Sequence, residues 1–371
     1  MAISIDIIIP TYRLREDILL GLLSLDQPAG AQVQYYVVSD NPAAEISDNL
    51  RKAFSAPGVH FLQNEQNMGV SVTRNRGIAY SKGDWILFLD DDVIPSKDIL
   101  HQYVDAIRKY PDEIGFIGQI HLPPPKRAFT KAVIAVGSMD IFGVAEAKDN
   151  FPWGATANIM FKRASVGDIR FSLDYPTTGG GEDVDFCLRV RERNGGRNFK
   201  CIPQASVVHP WWGNEAVIWK RPFYYGRGNS FLPARIPDFA YYDFLNTPET
   251  ILLCLLVLPV LAICGLLSWW ACLVFVLGVL IIEVIATSIQ LIKRSRTLSP
   301  AVLGYGIGLR LAYELGMLKG VLERGSLSEI GRRFNFEARR VAIPFYHTNT
   351  RRIIKWTLFP LLAYLVYRLG S

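Results

Sequence analysis

Short runs rich in β-branched and aromatic residues recur early in the chain, at 3–9, 32–39, 58–63 and 84–90. Stretches with helical spacing separate them, at 14–25, 44–54 and 70–81. Strands alternating with helices predict an α/β domain with a mostly parallel central sheet. Within the fourth run, Trp85, Ile86, Leu87, Phe88 and Leu89 show no polar alternation, as expected of a central strand covered on both faces. A helix is predicted at 96–109, a strand at 114–120, and a less regular connection at 121–152 containing Pro123, Pro124 and Pro125. Order returns at 153–165 and 182–193.

The pattern changes after residue 250. Residues 251–292 contain one charged side chain, Glu283. A membrane-spanning helix needs about 20 residues, so this stretch predicts two, joined near Gly265 to Trp270. Lys293, Arg294 and Arg296 then follow, and the positive-inside rule puts the first domain on the cytoplasmic face of a multi-pass membrane protein. An intramembrane charge is costly, and Glu283 is expected to sit near a helix end or to pair locally. Residues 299–323 carry Arg310, Glu314 and Lys319 and read as an interfacial helix. A possible third membrane segment lies at 353–367, interrupted by Lys355 and Pro360. The expected organisation is a domain at 1–230, an aromatic and Arg-rich interfacial connector at 231–250, the helix pair at 251–292 and a basic interfacial region at 293–371.

Composition fits this division. Half of the 371 residues are hydrophobic, and the formal net charge of +6 is concentrated in Lys and Arg between 293 and 355. Such an asymmetry points to an anionic membrane surface and membrane lipids, with no nucleic acid as partner. The five cysteines form no CxxC pair or regular framework, as expected of a reducing compartment. The first apolar run is too short for a signal peptide and reads as a strand.

Chemistry concentrates in two acidic groups. Asp90, Asp91 and Asp92 directly follow the buried strand, and in open α/β sheets ligands bind beyond the carboxyl ends of the strands. Adjacent carboxylates repel, so a cation or a hydrogen-bond network must offset them. Mg²⁺ or Mn²⁺ would suit, since hard ions take oxygen ligands and bridge carboxylates to phosphates. A solvated acidic turn remains open on these residues alone. The second group, Glu182, Asp183 and Asp185, follows three glycines and opens a helix, where an N-terminal position favours the ionised form.

Six segments occurring in order resemble family 2 glycosyltransferases of the GT-A fold: IIIPTYR (7–13), VVSDN (37–41), NMGVSVTRNRGI (67–78), FLDDDVIP (88–95), WGATANIMFKR (153–163) and GGGEDVDFCLRV (179–190). The resemblance implies a mixed, mostly parallel central sheet and a nucleoside-diphosphate sugar donor, with a UDP-sugar favoured. Pro10, Thr11 and Tyr12 would line the nucleobase pocket, Asp40 would accept from the base, and Arg74 would face the phosphates. Asp90 and Asp92 would bind metal, and Asp90 and Asp91 would contact the donor. His209 would be a further metal ligand, although a satisfied histidine beneath Trp211 and Trp212 fits the residues equally. Trp153, Gly154 and Glu182 would touch the acceptor, and Asp183 would be the catalytic base of a single, inverting displacement.

The processive synthases of the family carry a QxxRW motif before their membrane helices. Here residues 216–228 read AVIWKRPFYYGRG, and two main helices are few for a polymer channel. Transfer of one sugar to a lipid-linked or glycan acceptor is therefore expected, with a processive polysaccharide synthase as the alternative. A nucleotidyltransferase is the other alternative, but it would need a glycine-rich phosphate loop after the first strand, and PTYRLREDI has none.

Overall fold

The computed structural model describes residues 2–337 and 350–370. Residues 338–349, part of the basic region expected at the interface, lie outside the described residues. In chain order the elements are β1 (Ile3–Thr11), α1 (Glu16–Leu23), β2 (Ala31–Ser39), α2 (Asp48–Phe54), β3 (Val59–Gln63), α3 (Val70–Tyr80), β4 (Trp85–Leu89), β5 (Ile94–Pro95) and α4 (Ile99–Lys109). There follow β6 (Gly115–His121), α5 (Ala128–Ala135), α6 (Val144–Ala147), β7 (Asn150–Phe151), β8 (Asn158–Lys162), α7 (Arg163–Val166), α8 (Glu182–Arg193) and β9 (Phe199–Val208). The remainder is α9 (Lys220–Asn229), α10 (Leu232–Arg235), β10 (Ala240–Tyr242), α11 (Thr247–Ile263), α12 (Trp269–Ser295), α13 (Pro300–Glu323), β11 (Arg332–Phe334) and α14 (Thr350–Gly370).

Two compact units result: 1–125 with 139–214, and 126–138 with 215–371. In the first, the sheet order is β3-β2-β1-β4-β8-β6-β9-β5, with β7 beside β9. The strands β3, β2, β1 and β4 are parallel, and β8 joins β4 antiparallel, so the sheet is mixed with its longest ladder parallel, as predicted. β4 is buried along its whole length between β1 and β8, which explains its unbroken apolar run. Parallel β1, β2 and β4 bring Thr11, Asp40 and Asp90 to the same edge of the sheet. α3 covers β1 closely enough that a Cβ on Gly77 would collide with Ile8.

The connection at 121–152 is more ordered than its prolines predict. It contains α5, α6 and β7, and α5 belongs to the second unit. There Glu215 stabilises α5 by accepting hydrogen bonds from the Lys126 and Arg127 amides, 2.9 and 2.8 Å away, and from the Thr130 hydroxyl. These amides open a helix and have no intrahelical acceptor, so the carboxylate supplies what the turn cannot.

The predicted apolar pair at 251–292 is a hairpin of α11 and α12 turning through Gly265, whose φ is +71°. A capping box between Asn246 and Glu249 starts α11. Among the described residues α12 is the helix long and apolar enough to cross a membrane; α11 is apolar but shorter, at 17 residues. Apolar side chains including Leu255, Leu256, Ile263, Trp269 and Trp270 are exposed on this pair. α13 packs on α9 at near-backbone contact, because Gly226 faces the Tyr313 carbonyl and Gly316 faces the Phe223 carbonyl. Small residues permit such an approach between helices. Glu283 lies in the middle of α12 rather than at a helix end, and it accepts locally from the Thr287 hydroxyl at 2.9 Å. Its ionic partners are Arg351 and Lys355 of α14, which the intervening sequence concealed.

Candidate active site

Each acid of the first cluster has a different neighbour. Thr11 ends β1 beside β4, and its hydroxyl donates to Asp91 Oδ2 at 2.6 Å. The same Oγ1 accepts from the Leu14 amide at 3.2 Å, which ties the turn after β1 to the acid. Burial raises the Asp91 pKa, while the Thr11 hydrogen bond opposes that rise. Asp90 is also pushed up by burial, against the pull of Arg74 and with further repulsion from Asp92.

Asp92 meets His209 because the short strand β5 pairs antiparallel with the end of β9. His209 Nε2 stands 3.3 Å from Asp92 Oδ1. Its Nδ1 is 2.7 Å from the Pro210 carbonyl, which can only accept, so Nδ1 carries a proton. In the neutral ring, Nε2 then turns a lone pair toward a carboxylate oxygen. Two acceptors at that distance call for a proton or a cation between them. The histidine is 4% exposed and sits between the rings of Phe142 and Trp212.

These groups fit a hard divalent ion held in the usual way, by one or two carboxylates together with phosphate oxygens and water. Among the described residues, no three His, Cys, Asp or Glu side chains are gathered tightly enough to form a complete protein cage. Asp90, Asp92 and His209 would contribute only part of the coordination.

Asp40 is engaged differently from a free nucleobase acceptor. Its Oδ1 accepts from the Met68 amide at 2.9 Å and the Asn64 side-chain amide at 2.8 Å, and its Oδ2 from the Gly69 amide at 2.8 Å. It thereby fixes the turn that enters α3, where Gly69 has a φ of +87°. A carboxylate offers about four lone-pair sites, so one remains for a ligand. Pro10 is buried in β1, whereas Tyr12 just beyond it is 50% exposed.

The second cluster opens α8. Gly179, Gly180 and Gly181 have φ of +83°, +108° and +87°, a succession that residues with a Cβ rarely adopt. Glu182 is buried, while Asp183 is half-buried and accepts from the Val184 amide at 2.8 Å. Burial first, and then the charge of Glu182, push the Asp183 pKa up to about 7. Asp185 turns the other way and pairs with Arg189 at 2.8 Å, a structural role that the i,i+4 spacing announces. Gly154 lies at the inner side of α8, where its carbonyl accepts from Cys187 Sγ at 3.8 Å, and Trp153 packs against the core next to Phe151.

Arg74 joins the two clusters. Its Nη1 is 3.2 Å from Glu182 Oε1, and its Nη2 is 3.6 Å from Asp90 Oδ1. Phe171 lies beneath the guanidinium, 5.4 Å from ring centre to carbon, and stacks in turn on Phe186 of α8. No local motif marked Phe171, because its contacts come from α3 and α8. A separate cavity of about 470 Å³ between α1 and residues 93–97 is lined by Ile18, Leu22 and Ile94 among others, and by none of the acids above.

The acids, the histidine and the buried arginine thus gather at the carboxyl edge of an α/β sheet. Residues 6–167 match Glycosyl transferase family 2. Asp183 and His209 lie beyond the matched residues. The chain is 32% identical over 113 residues to an uncharacterized glycosyltransferase of Haemophilus influenzae, covering 30% of this chain and 37% of that protein. It is 29% identical over 247 residues to the succinoglycan biosynthesis protein ExoM of Rhizobium meliloti, covering 62% and 76%. The match thus spans little more than a third of the first relative's length. Among solved structures, the mannosyltransferase PcManGT from Pyrobaculum calidifontis in complex with GDP-Man and Mn²⁺ aligns with a TM-score of 0.48 at 16% identity, covering 86% of this chain and 87% of that one.

Proposed function

We propose that the protein is an inverting, divalent-metal-dependent glycosyltransferase that moves one sugar from a nucleoside-diphosphate sugar to a membrane-associated acceptor. The observation that carries this reading is the single guanidinium of Arg74 lying within 3.6 Å of Asp90 on one side and 3.2 Å of Glu182 on the other. It puts the acids expected at the leaving diphosphate and those expected at the acceptor hydroxyl one side chain apart, as an in-line displacement requires.

In this reading Asp90, Asp92 and His209 hold the cation, and a bound cation stabilises negative charge on the leaving diphosphate. Thr11 orients Asp91 toward the nucleotide. Asp183 takes the acceptor hydroxyl proton as that oxygen bonds to the anomeric carbon, and the bond from that carbon to the diphosphate oxygen breaks with its electron pair. A pKa near neutrality suits a general base that must accept a proton and release it again. No covalent enzyme intermediate forms.

The exposed apolar faces of α11 and α12 support a bilayer around the second unit, with a UDP-sugar favoured as donor and a lipid-linked or glycan acceptor. The name of ExoM, a succinoglycan biosynthesis protein, supports polysaccharide assembly as the setting. The test is a donor screen with the full chain in detergent, scoring nucleotide release with and without Mn²⁺. Release is expected only with metal, and Asp183→Asn should abolish turnover while nucleotide still binds. Metal-independent release would overturn the role of the first cluster, and full activity in Asp183→Asn that of the base.

A further inference from the structure

Glu182 is expected by resemblance to touch the acceptor, yet both of its oxygens are already engaged inside the protein. Oε1 faces Arg74 Nη1 at 3.2 Å, Oε2 accepts from the Gly180 amide at 2.7 Å, and only 6% of the residue is exposed. Gly180 belongs to the run of three positive-φ glycines that leads into α8, and Asp183 stands in the first turn of that helix. A continuous path therefore runs from Asp90 through Arg74 and Glu182 to the loop that sets the base. Glycines have no side chains to restrain them, so the order of this loop depends strongly on the Glu182 hydrogen bond.

Arg74 is incompletely satisfied at the other end of the path. Its contact with Asp90, at 3.6 Å, is longer than a hydrogen bond, and its buried Nε has no acceptor among the described residues. The guanidinium presents a fork of five N–H groups. It can therefore give Nη2 and Nε to a diphosphate oxygen without giving up Glu182 through Nη1. Phe171 beneath its plane limits the motion to a swing across the ring face.

We propose that Arg74 and Glu182 are a positioning pair that transmits occupancy of the Asp90–Asp92 site to the glycine loop carrying Asp183. The proposal rests on the sugar-nucleotide reading above. With a diphosphate in place, Arg74 is held at three points instead of two, Glu182 is pinned, and Gly180 and the start of α8 lose their freedom. Without it, the pair that restrains the Gly180 amide is loose at its other end. Donor binding thus precedes the fixing of the base, which links the order of substrate addition to the geometry of one arginine.

The test is hydrogen exchange on the full chain in detergent, with and without Mn²⁺ and either UDP or GDP, alongside calorimetric measurement of nucleotide affinity. In the parent protein, nucleotide with Mn²⁺ is expected to slow exchange across residues 178–184 by about tenfold, the value of one charge-assisted hydrogen bond. Glu182→Gln should bind nucleotide with its affinity changed by less than about threefold, because the donor contacts remain, yet lose that slowing. A residue that merely stabilises the fold would raise exchange equally with and without nucleotide. Unchanged exchange in β4 certifies that the variant is folded; if it fails this control, Arg74→Lys at saturating nucleotide replaces it, since a point charge cannot span both acids. Equal slowing in parent and variant overturns the relay, as does a parent that binds nucleotide with no slowing. A parent that binds neither nucleotide overturns the donor-site reading, and the relay falls with it.

Discussion

Glu283 in the middle of α12 and Lys355 near the start of α14 form an ion pair of 2.7 Å, with 4% and 3% of the two residues exposed. Arg351 joins Glu283 to Glu314 of α13, and Arg310 completes the group at 3.0 Å from Glu314. Thr350 lies against Lys293 and Leu362 against Gly278, so α14 runs antiparallel to α12. A helix that begins with two buried cations is held in an apolar unit only because two carboxylates await them.

Removing one partner of a buried pair leaves the other charge uncompensated, at a cost of about 3–5 kcal/mol. Glu283→Leu is therefore expected to lower the thermal midpoint in detergent sharply. Adding Lys355→Met should recover part of the loss, because it removes the stranded charge. A double variant no more stable than Glu283→Leu would show that the pair does not act as a unit.

The close contact between α9 and α13 gives a second expectation. A Cβ at Gly316 would collide with the backbone carbonyl of Phe223, and backbone cannot yield as a side chain can. Gly316→Ala should destabilise the second unit by at least about 1–3 kcal/mol, the usual range for overpacking. Gly304 on the same helix has nothing within 4 Å of its would-be Cβ, so Gly304→Ala should be neutral or stabilising by up to about 1 kcal/mol. Thermal unfolding of the two variants side by side checks the contrast.

At the first acidic cluster, Thr11→Val deletes the hydroxyl that donates to Asp91 at 2.6 Å and keeps the side chain's shape. Hydrogen bonds to charged groups contribute about 1.5–3 kcal/mol, so nucleotide affinity should fall by about tenfold or more. The same variant removes the largest opposition to burial at Asp91 and raises its pKa further, so the loss should be larger at low pH than at high pH. Calorimetry with UDP and Mn²⁺ at two pH values measures both effects.

How far these features were legible depends on where their partners lie in the chain. β4 and its following acids could be read locally, because an unbroken apolar run of five residues already demands cover on both faces. The α11–α12 hairpin could be read for the same reason. The approach of His209 to Asp92 could not be read from local sequence and is expected only from the family resemblance, since it depends on a two-residue pairing between β5 and β9. Nor could the anchoring role of Asp40, whose partners Asn64, Met68 and Gly69 lie more than twenty positions away. Glu283 is legible only in part: its local partner Thr287 lies one turn on, but its cations enter only with α14.

Asp183 gives an expectation with a definite sign. Its pKa rises from an ordinary 3.8 to about 7 in the folded protein, through burial and the neighbouring charge of Glu182. Between these values the folded state keeps a proton that the unfolded chain has lost, so stability falls as pH rises through this window and levels off above about 7. Asp183→Asn removes that slope. The variant should unfold at a higher temperature than the parent at pH 8 and at the same temperature at pH 4, which scanning calorimetry in detergent can follow. Activity should move the opposite way, because the base works only when ionised, so kcat/KM should climb with pH and flatten near neutrality. Glu182→Gln removes the repelling charge and should shift that rise to lower pH. A profile unmoved by Glu182→Gln would assign the ionisation to another group and leave Asp183 without its proposed part in proton transfer.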